Sequence, residues 1–367
     1  MRKIRVGIVF GGQSVEHEIS ILSARNVLAA LDRSKFEPVL IGIDKSGRWL
    51  AQDPQKLLAS AHDPRLVEVA PGMPVQLAIP ISAPALAPPT GTGLVDVLFP
   101  VLHGTKGEDG SIQGLFEVAG IPYVGASVLG SAIGMDKDVM KRLLRDAHIP
   151  CAEFRTMRSD RFETNPEQAC RDLATLGFPL FIKPASSGSS VGIRKVRDRA
   201  ALMEAIRYAF QFDFKVIAEA AIDGREIELA VLGGDPPAVT IAGEIIVEHP
   251  DGFYSYDAKY IDRKGARVEV PASIPGDQQR RAQTLALRTF EVLECEGMAR
   301  VDLFLKRNGD LIVNEINTIP GFTDISMYPK LWAASGVTAT ELITRLIELA
   351  LRRGERRRAI QRSLKVE

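Results

Sequence analysis

The sequence is poor in the features that mark several protein classes. It holds three cysteines in 367 residues, Cys151, Cys170 and Cys295, too few for a disulfide framework and too far apart for zinc spacing, which fits reduced thiols in a cytoplasmic protein. Its 46 Lys and Arg balance 46 Asp and Glu, so no global field draws it to nucleic acid or anionic lipid. No run approaches the ~20 apolar residues that span a bilayer. The opening Met1-Arg-Lys-Ile-Arg and Val6 to Phe10 only faintly resemble a secretory signal, because the apolar run is short and meets Gly11-Gly12 in place of a cleavage site. A Walker A loop and a clean Gly-x-Gly-x-x-Gly are missing too. The one charge run, Arg352 to Lys365, reads as a solvated helix end, with a weak anion-binding or interface patch as the alternative.

What the sequence does contain is organised around Gly297 to Gly321. Two runs of β-branched or alternating residues flank Asn308-Gly309, a dipeptide suited to a two-residue type I′ turn, which predicts a β-hairpin. In that register Arg307 faces Asp310, Asp302 lies opposite Glu315, and Arg300 lies opposite Asn317. Opposed acids on a ladder repel. A hard divalent cation reverses the sign of that cost, and Asn317 adds a neutral oxygen, so the predicted site is a Mg²⁺-nucleotide platform. The bland alternative is a solvent-facing strand pair, against which stand the alternating apolar residues Val301, Leu303, Leu305, Ile312 and Ile316. Asn314 interrupts that alternation.

With 367 residues, two or three domains are expected. Ile4 to Phe10 reads as a buried strand, Gly11-Gly12-Gln13 as a turn, and Ser14 as the N-cap of a helix carrying Glu16 in its first turn. Glu16 can bind an ammonium group or serve as ordinary N-terminal helix chemistry. Strands follow at Pro38 to Asp44 and Val95 to Leu102, the second ending in His103-Gly-Thr-Lys-Gly-Glu-Asp-Gly110, a glycine-rich turn placed where α/β sheets bind ligands. The chain changes character from Ser131, with a domain boundary near residue 126 and an amphipathic helix over Asp136 to Leu144. Phe178 to Pro184 and Ile193 to Val196 read as strands around Ala185-Ser-Ser-Gly-Ser-Ser-Val-Gly192. That loop is a candidate phosphate flap, with Lys183 and Lys137 as counter-charges, or else a plain mobile turn. Strands at Lys215 to Glu219 and Glu226 to Leu232 place Glu219 and Glu226 to bracket a nucleoside. His249 to Asp262 reads as a lid offering Lys259 and Tyr260. Helices are predicted at Gln278 to Leu293 and Thr338 to Leu351.

Taken together, His103-Gly-x-x-Gly-Glu-Asp-Gly-x-Ile-Gln-Gly114, Gly-Ser-Ser-Val-Gly, Ala258-Lys-Tyr260 and Arg-Val-Asp…Asn-Glu-Ile-Asn-Thr-Ile-Pro-Gly resemble the ATP-grasp superfamily, and within it the D-alanine:D-alanine ligases. The resemblance spans nearly the whole chain. It implies an α/β (α+β mixed) three-domain ATP-grasp fold: a Rossmann-like substrate domain at 1–126, a central domain at 127–224 with the phosphate flap, and a C-terminal domain at 225–367 with hairpin and lid. By the same resemblance ATP contacts Lys137, Lys183, Ser187, Gly188, Ser189, Ser190, Val191, Glu219, Ala220, Ile222, Glu226, Lys259 and Asn314. Asp302, Glu315 and Asn317 hold two Mg²⁺ ions, for which Mn²⁺ can substitute. Ala220 departs from the pattern, which often has Lys there, so adenine contacts differ in detail.

The implied reaction phosphorylates the carboxylate of one D-alanine and lets the amine of a second attack the acyl phosphate, a step of peptidoglycan precursor synthesis. Glu16 binds the first ammonium. Arg300 and the Gly321 N–H stabilise the oxyanion. Ser326 and Lys259 hold the second carboxylate, with His103 and Met327 also in the substrate site. Ser189, Tyr260 and Glu16 lock the lid, and Tyr260 favours a dipeptide over an ester. The expected partners are ATP, D-alanine and a second copy of the chain in a homodimer. The alternatives are another ATP-grasp carboxylate–amine ligase, a non-catalytic nucleotide-binding module, and, from Gly11-Gly12 alone, an NAD-dependent oxidoreductase.

Overall fold

The computed structural model describes residues 2–60, 63, 66–75, 95–248 and 265–361. The chain opens with β1 (Ile4–Gly11), α1 (His17–Ala30), β2 (Phe36–Ile43), β3 (Trp49–Gln52), α2 (Pro54–Ala59), β4 (Val97–Pro100) and α3 (Ser111–Val118). Their sheet has the order β3-β2-β1-β4, with β1 parallel to β2 and β4. The unbroken apolar run of β1 suits a strand covered on both faces, and every residue from Val6 to Gly11 is buried. Helix α1 covers one face with Ile21, Ala24, Val27 and Leu28. It begins later than the sequence suggests: Glu16 itself is the N-cap, and Ser14 lies outside, its hydroxyl accepting from the Glu16 N–H at 3.2 Å.

Next come α4 (Val128–Met135), α5 (Lys137–Asp146), β5 (Phe154–Arg158), α6 (Ser159–Thr164), α7 (Pro166–Ala174), β6 (Leu180–Pro184), β7 (Arg194–Val196), α8 (Leu202–Ala209) and β8 (Lys215–Ala220). The four strands form an antiparallel sheet in the order β5-β8-β6-β7. Leu180, Ile182, Val216 and Ala218 on its inner face meet Leu173 of α7 and Leu202 and Ile206 of α8.

The remainder is β9 (Gly224–Leu232), β10 (Ala238–Val239), β11 (Gly243–Val247), β12 (Ala266–Glu269), α9 (Gly276–Val292), β13 (Met298–Lys306), β14 (Leu311–Asn317), α10 (Met327–Ala334) and α11 (Ala339–Ala359). Its sheet runs β12-β11-β9-β13-β14, with β10 paired to β9. Ile133 of α4 and Met140 and Leu144 of α5 pack into the core of this sheet, beside Leu229, Val301 and Val313. The two helices that precede the central sheet in sequence therefore bury their apolar faces on the C-terminal one.

The last helix is longer than expected; Arg352, Arg356 and Arg358 of the Arg-rich run are exposed, as a solvated helix end requires, while Arg353 and Arg357 turn inward. Leu342, Ile343, Leu346 and Ile347 join the core beneath β1, β4 and α1. Beyond them the Arg353 guanidinium donates to the carbonyls of Tyr123 (2.6 Å) and Gly125 (2.7 Å) and lies 4.4 Å from the centroid of the Tyr123 ring. Arg357, one turn on, pairs with Glu117. Among the described residues no helix is long and apolar enough to cross a membrane.

Candidate active site

The β13–β14 hairpin places Arg300 opposite Asn317 and Asp302 opposite Glu315, as the sequence predicts, but reaches that register by another route. The turn is not a two-residue loop. Lys306 and Gly309 close it with a 2.9 Å hydrogen bond from the Gly309 N–H to the Lys306 carbonyl, Gly309 adopts φ 84°, and Lys306 faces Asp310. This is the three-residue loop whose last residue is left-handed, a place for glycine. It shifts the register by one, and a bulge between Asp302 and Leu303, with Asn314 as the extra residue on β14, shifts it back. The interrupted alternation at Asn314 is the trace of that bulge.

Because β13 also pairs with β9, Asp302 has Glu228 opposite it on its other side. Glu228, Asp302 and Glu315 therefore form one row of acids across three adjacent strands. Arg300 answers two of them: it is bidentate to Asp302, with both bonds at 2.7 Å, and lies 2.9 Å from Glu228. Burial opposes the guanidinium charge, yet Asp302 and Glu228 hold its pKa well above the usual value. Asn317 Nδ2 donates to Asp302 at 3.0 Å, which leaves the amide oxygen to turn elsewhere. Lys137 reaches Glu315 at 3.4 Å. The donor set of Asp302, Glu315 and the Asn317 oxygen is all hard oxygen and fits a Mg²⁺-type ion that completes its shell with water and phosphate. Among the described residues no group of three or more His, Cys, Asp or Glu side chains converges as a ligand set, in keeping with Arg300 holding Glu228.

The β6–β7 hairpin carries the flap. Strand, loop and antiparallel strand follow as expected, with Leu180 opposite Val196. Ser186 is anchored by Asp213, whose carboxylate accepts its N–H at 2.7 Å. Ser189 and Ser190 turn through φ 50° and 60°, and the Ser189 hydroxyl donates to Glu16. Lys137 Nζ donates to the Ser187 carbonyl at 2.8 Å, so one ammonium touches both hairpins. Val191 N–H returns to the Gly188 carbonyl at 3.1 Å. Gly104 and Gly188 flank the Glu16 carboxylate so closely that a Cβ would come within 2.9 and 3.1 Å of Oε2. The sequence elements around Glu16 and the flap are thus brought together.

At the nucleoside end, Glu219 on β8 is buried and its Oε2 takes Lys183 Nζ at 2.8 Å. Burial works against the Glu219 charge, but Lys141 and Lys183 hold its pKa below the ordinary value. Its Oε1 has no hydrogen-bond partner and faces Lys141 at 3.5 Å. Lys183 is itself half-buried, and the desolvation cost is outweighed by Glu219, Glu315 and Glu226, which raise its pKa. Ala220 ends β8, and Ile222 lies in the short link to β9, which brings Glu226 into the same field.

The loop after β14 is gripped by the N-terminal sheet. His103 Nδ1 lies 3.1 Å from the Ile319 carbonyl and Nε2 lies 3.1 Å from Ser23 Oγ, which in turn accepts the Phe322 N–H at 3.1 Å. Burial lowers the His103 pKa, so the ring is neutral and both nitrogens are used within the protein. Asn26 Nδ2 donates to the Phe322 carbonyl at 2.9 Å, and Glu108 accepts from the N–H groups of Gly104 (2.7 Å) and Ile319 (3.3 Å). Gly321 abuts Ser326, since a Cβ there would meet Ser326 Oγ at 2.7 Å. Ser326 occupies the N-cap position of α10, and its Oγ, instead of capping the helix, accepts the Thr323 N–H at 3.0 Å. Met327 turns its side chain into the core against Gly243, so only its backbone remains for a ligand. Lys259 and Tyr260 lie outside the described residues.

Sequence reasoning missed Glu228, Lys141, Ser23 and Asn26. For Glu228 a signal existed: in Gly-Arg-Glu-Ile-Glu-Leu the acids alternate with apolar residues, so Glu226 and Glu228 share the face of the strand opposite Ile227 and Leu229.

Two α+β sheets, one carrying a small-residue flap and the other a row of acids, with a Rossmann-like sheet against them, define an ATP-grasp protein. Family models described as D-ala D-ala ligase N-terminus and D-ala D-ala ligase C-terminus match residues 5–126 and 143–348. The chain belongs to the D-alanine–D-alanine ligase family. It is 50% identical to the D-alanine–D-alanine ligase of Shouchella clausii over 99% of both chains. It is also 50% identical to D-alanine–D-alanine ligase A of Escherichia coli K12, over 96% of this chain and 97% of the other. The solved D-alanine-D-alanine ligase of Coxiella burnetii matches with a TM-score of 0.84 at 36% identity, over 98% of this chain and 97% of that one. The VanG D-Ala:D-Ser ligase of Enterococcus faecalis matches with 0.83 at 37%, over 95% of this chain and all of that one.

Proposed function

We propose that the chain joins two molecules of D-alanine to D-alanyl-D-alanine, using ATP and releasing ADP and phosphate. The observation that carries this is the meeting of three elements at one cleft: the flap, latched to Glu16 through Ser189; the acid row with Arg300; and Lys137 between them. Lys137 and Lys183 neutralise the nucleotide phosphates, and the flap N–H groups wrap them. Glu16 takes the ammonium of the first D-alanine, which leaves its carboxylate toward the phosphates. Asp302, Glu315 and Asn317 would hold Mg²⁺ or Mn²⁺, which when bound neutralises charge on the transferring phosphoryl group.

Arg300 is set by Asp302 and Glu228 for the next stage, in which attack by the second amine puts negative charge on the former carboxylate oxygen. A pre-oriented guanidinium and the Gly321 N–H stabilise that oxyanion without reorganising. The latched flap excludes water from the acyl phosphate. His103, Ser23, Asn26 and Glu108 fix the loop that carries Gly321 and Ser326, so they act on the substrate through that loop.

The test is product analysis with ATP, Mg²⁺ and D-alanine. D-alanine-dependent ADP release with stoichiometric dipeptide is expected. If D-serine or another amine is consumed in preference as second substrate, as the name of the Enterococcus relative suggests for that protein, the D-alanine assignment fails. We read the protein as cytoplasmic and homodimeric through its N-terminal domain. Reduced, dispersed cysteines support the first, and light scattering in solution measures the second.

A further inference from the structure

Lys141 is fully buried, with none of its side chain exposed, and the chemistry outlined above gives it nothing to do. Such a lysine is costly unless it is paired. Its ammonium has two partners on different sheets: Glu219 Oε1 of the central sheet at 3.5 Å and the Asn314 carbonyl of the C-terminal hairpin at 3.3 Å. Neither is an arbitrary acceptor. Glu219 Oε1 has no hydrogen bond, and Asn314 is the extra residue of the bulge that restores the register of Glu315 and Asn317. A bulged residue drops out of the ladder, and its carbonyl needs another donor.

Helix α5 thus presents two lysines one turn apart. Lys137 reaches outward to the flap and Glu315, while Lys141 reaches inward to the frame behind them. We propose that Lys141 is a positioning residue of the nucleotide site: a fixed internal cation that holds the Asn314 bulge and the Glu219 carboxylate together, and so keeps Glu315 and Asn317 of β14 at a set distance from the nucleoside end of the cleft. This rests on the reading of the cleft as a nucleotide site, and it assigns Lys141 no contact with substrate.

The test replaces Lys141 with methionine, similar in length and uncharged, and measures Mg·ADP binding by calorimetry without any amino acid present. An affinity about tenfold or more below wild type is expected, as for truncating one member of a buried charged pair, together with a higher Mg²⁺ concentration for half-maximal turnover and a D-alanine KM within about twofold of wild type. A folded Lys141→Met protein with wild-type nucleotide affinity overturns the proposal, as does a loss confined to the D-alanine KM. If Lys141→Met does not fold, the double variant Lys141→Met/Glu219→Gln removes both charges. Reduced Mg·ADP affinity relative to Glu219→Gln alone supports the role of the bulge, and equal affinity refutes it. A wild-type chain that binds Mg·ADP but makes no dipeptide refutes the ligase reading and leaves this one standing.

Discussion

The two hairpins of the cleft are built on opposite plans. The β13–β14 hairpin is fixed by pairing along all of β13 to β9 and carries the charge: Asp302, Glu315 and Arg300. The β6–β7 hairpin ends in a three-residue strand and carries no ionised group between Ser186 and Val191. It is held at its tip by neighbours, Glu16 on one side and Lys137 on the other. Charges that must meet a triphosphate at set distances belong on the rigid element, because a misplaced charge loses far more than a misplaced neutral donor. Neutral N–H and hydroxyl groups can be delivered by an element that opens and closes.

The largest test of this contrast is Glu315→Gln, which alters the rigid hairpin by one charge. Turnover should fall by about 10²–10³-fold, as when a group stabilising transition-state charge is removed, with weaker Mg-nucleotide binding. Steady-state kinetics across Mg²⁺ concentrations check it, and unchanged activity at limiting Mg²⁺ contradicts the metal role. Ser189→Ala cuts the latch without touching a charge. About a tenfold loss of kcat/KM is expected, worth about 1.4 kcal/mol, with ATP hydrolysis in excess of dipeptide because water reaches the intermediate. A coupling ratio equal to wild type would break the contrast.

Arg353→Ala serves as a control that touches neither the flap nor the acid row, since its partners are Tyr123, Gly125 and Glu296. It removes two hydrogen bonds to buried carbonyls and should cost about 2–3 kcal/mol of stability while leaving kcat near wild type, read from urea midpoints beside an activity assay. The last test concerns pH. Burial, reinforced by Glu16, lifts the Glu108 carboxyl from 4.5 to about 8. Between those values the folded chain keeps a proton that the unfolded chain has released, so this group makes stability fall as pH rises through the window. Glu108→Gln should flatten that slope, and urea midpoints across the same range would show a slope left unchanged if Glu108 is ionised in the folded protein.

Much of the cleft was legible in the sequence because its parts are local. The strand-loop-strand flap, the acid pair and the glycine-flanked His103 loop each follow from short runs of residues. The register of the acid pair was legible only through two departures that offset each other, a longer turn and a bulge at Asn314. Other features were hidden because they depend on which strands become neighbours. Glu228 enters the acid row only because β9 lies beside β13, and Lys141 reads as the polar side of an amphipathic helix until the C-terminal sheet covers it. The Arg-rich tail is solvated at Arg352, Arg356 and Arg358, but nothing in its own sequence announces that Arg353 will find the carbonyls of Tyr123 and Gly125.

The shared position of Lys137 has a consequence for how the cleft fills. Its ammonium is engaged by the Ser187 carbonyl and the Glu315 carboxylate, which leaves one of its three N–H donors for a third acceptor. On the proposed reading of the cleft a phosphate can join that cation without displacing either partner, so the flap tip and the acid hairpin stay tied to one fixed charge while the nucleotide enters.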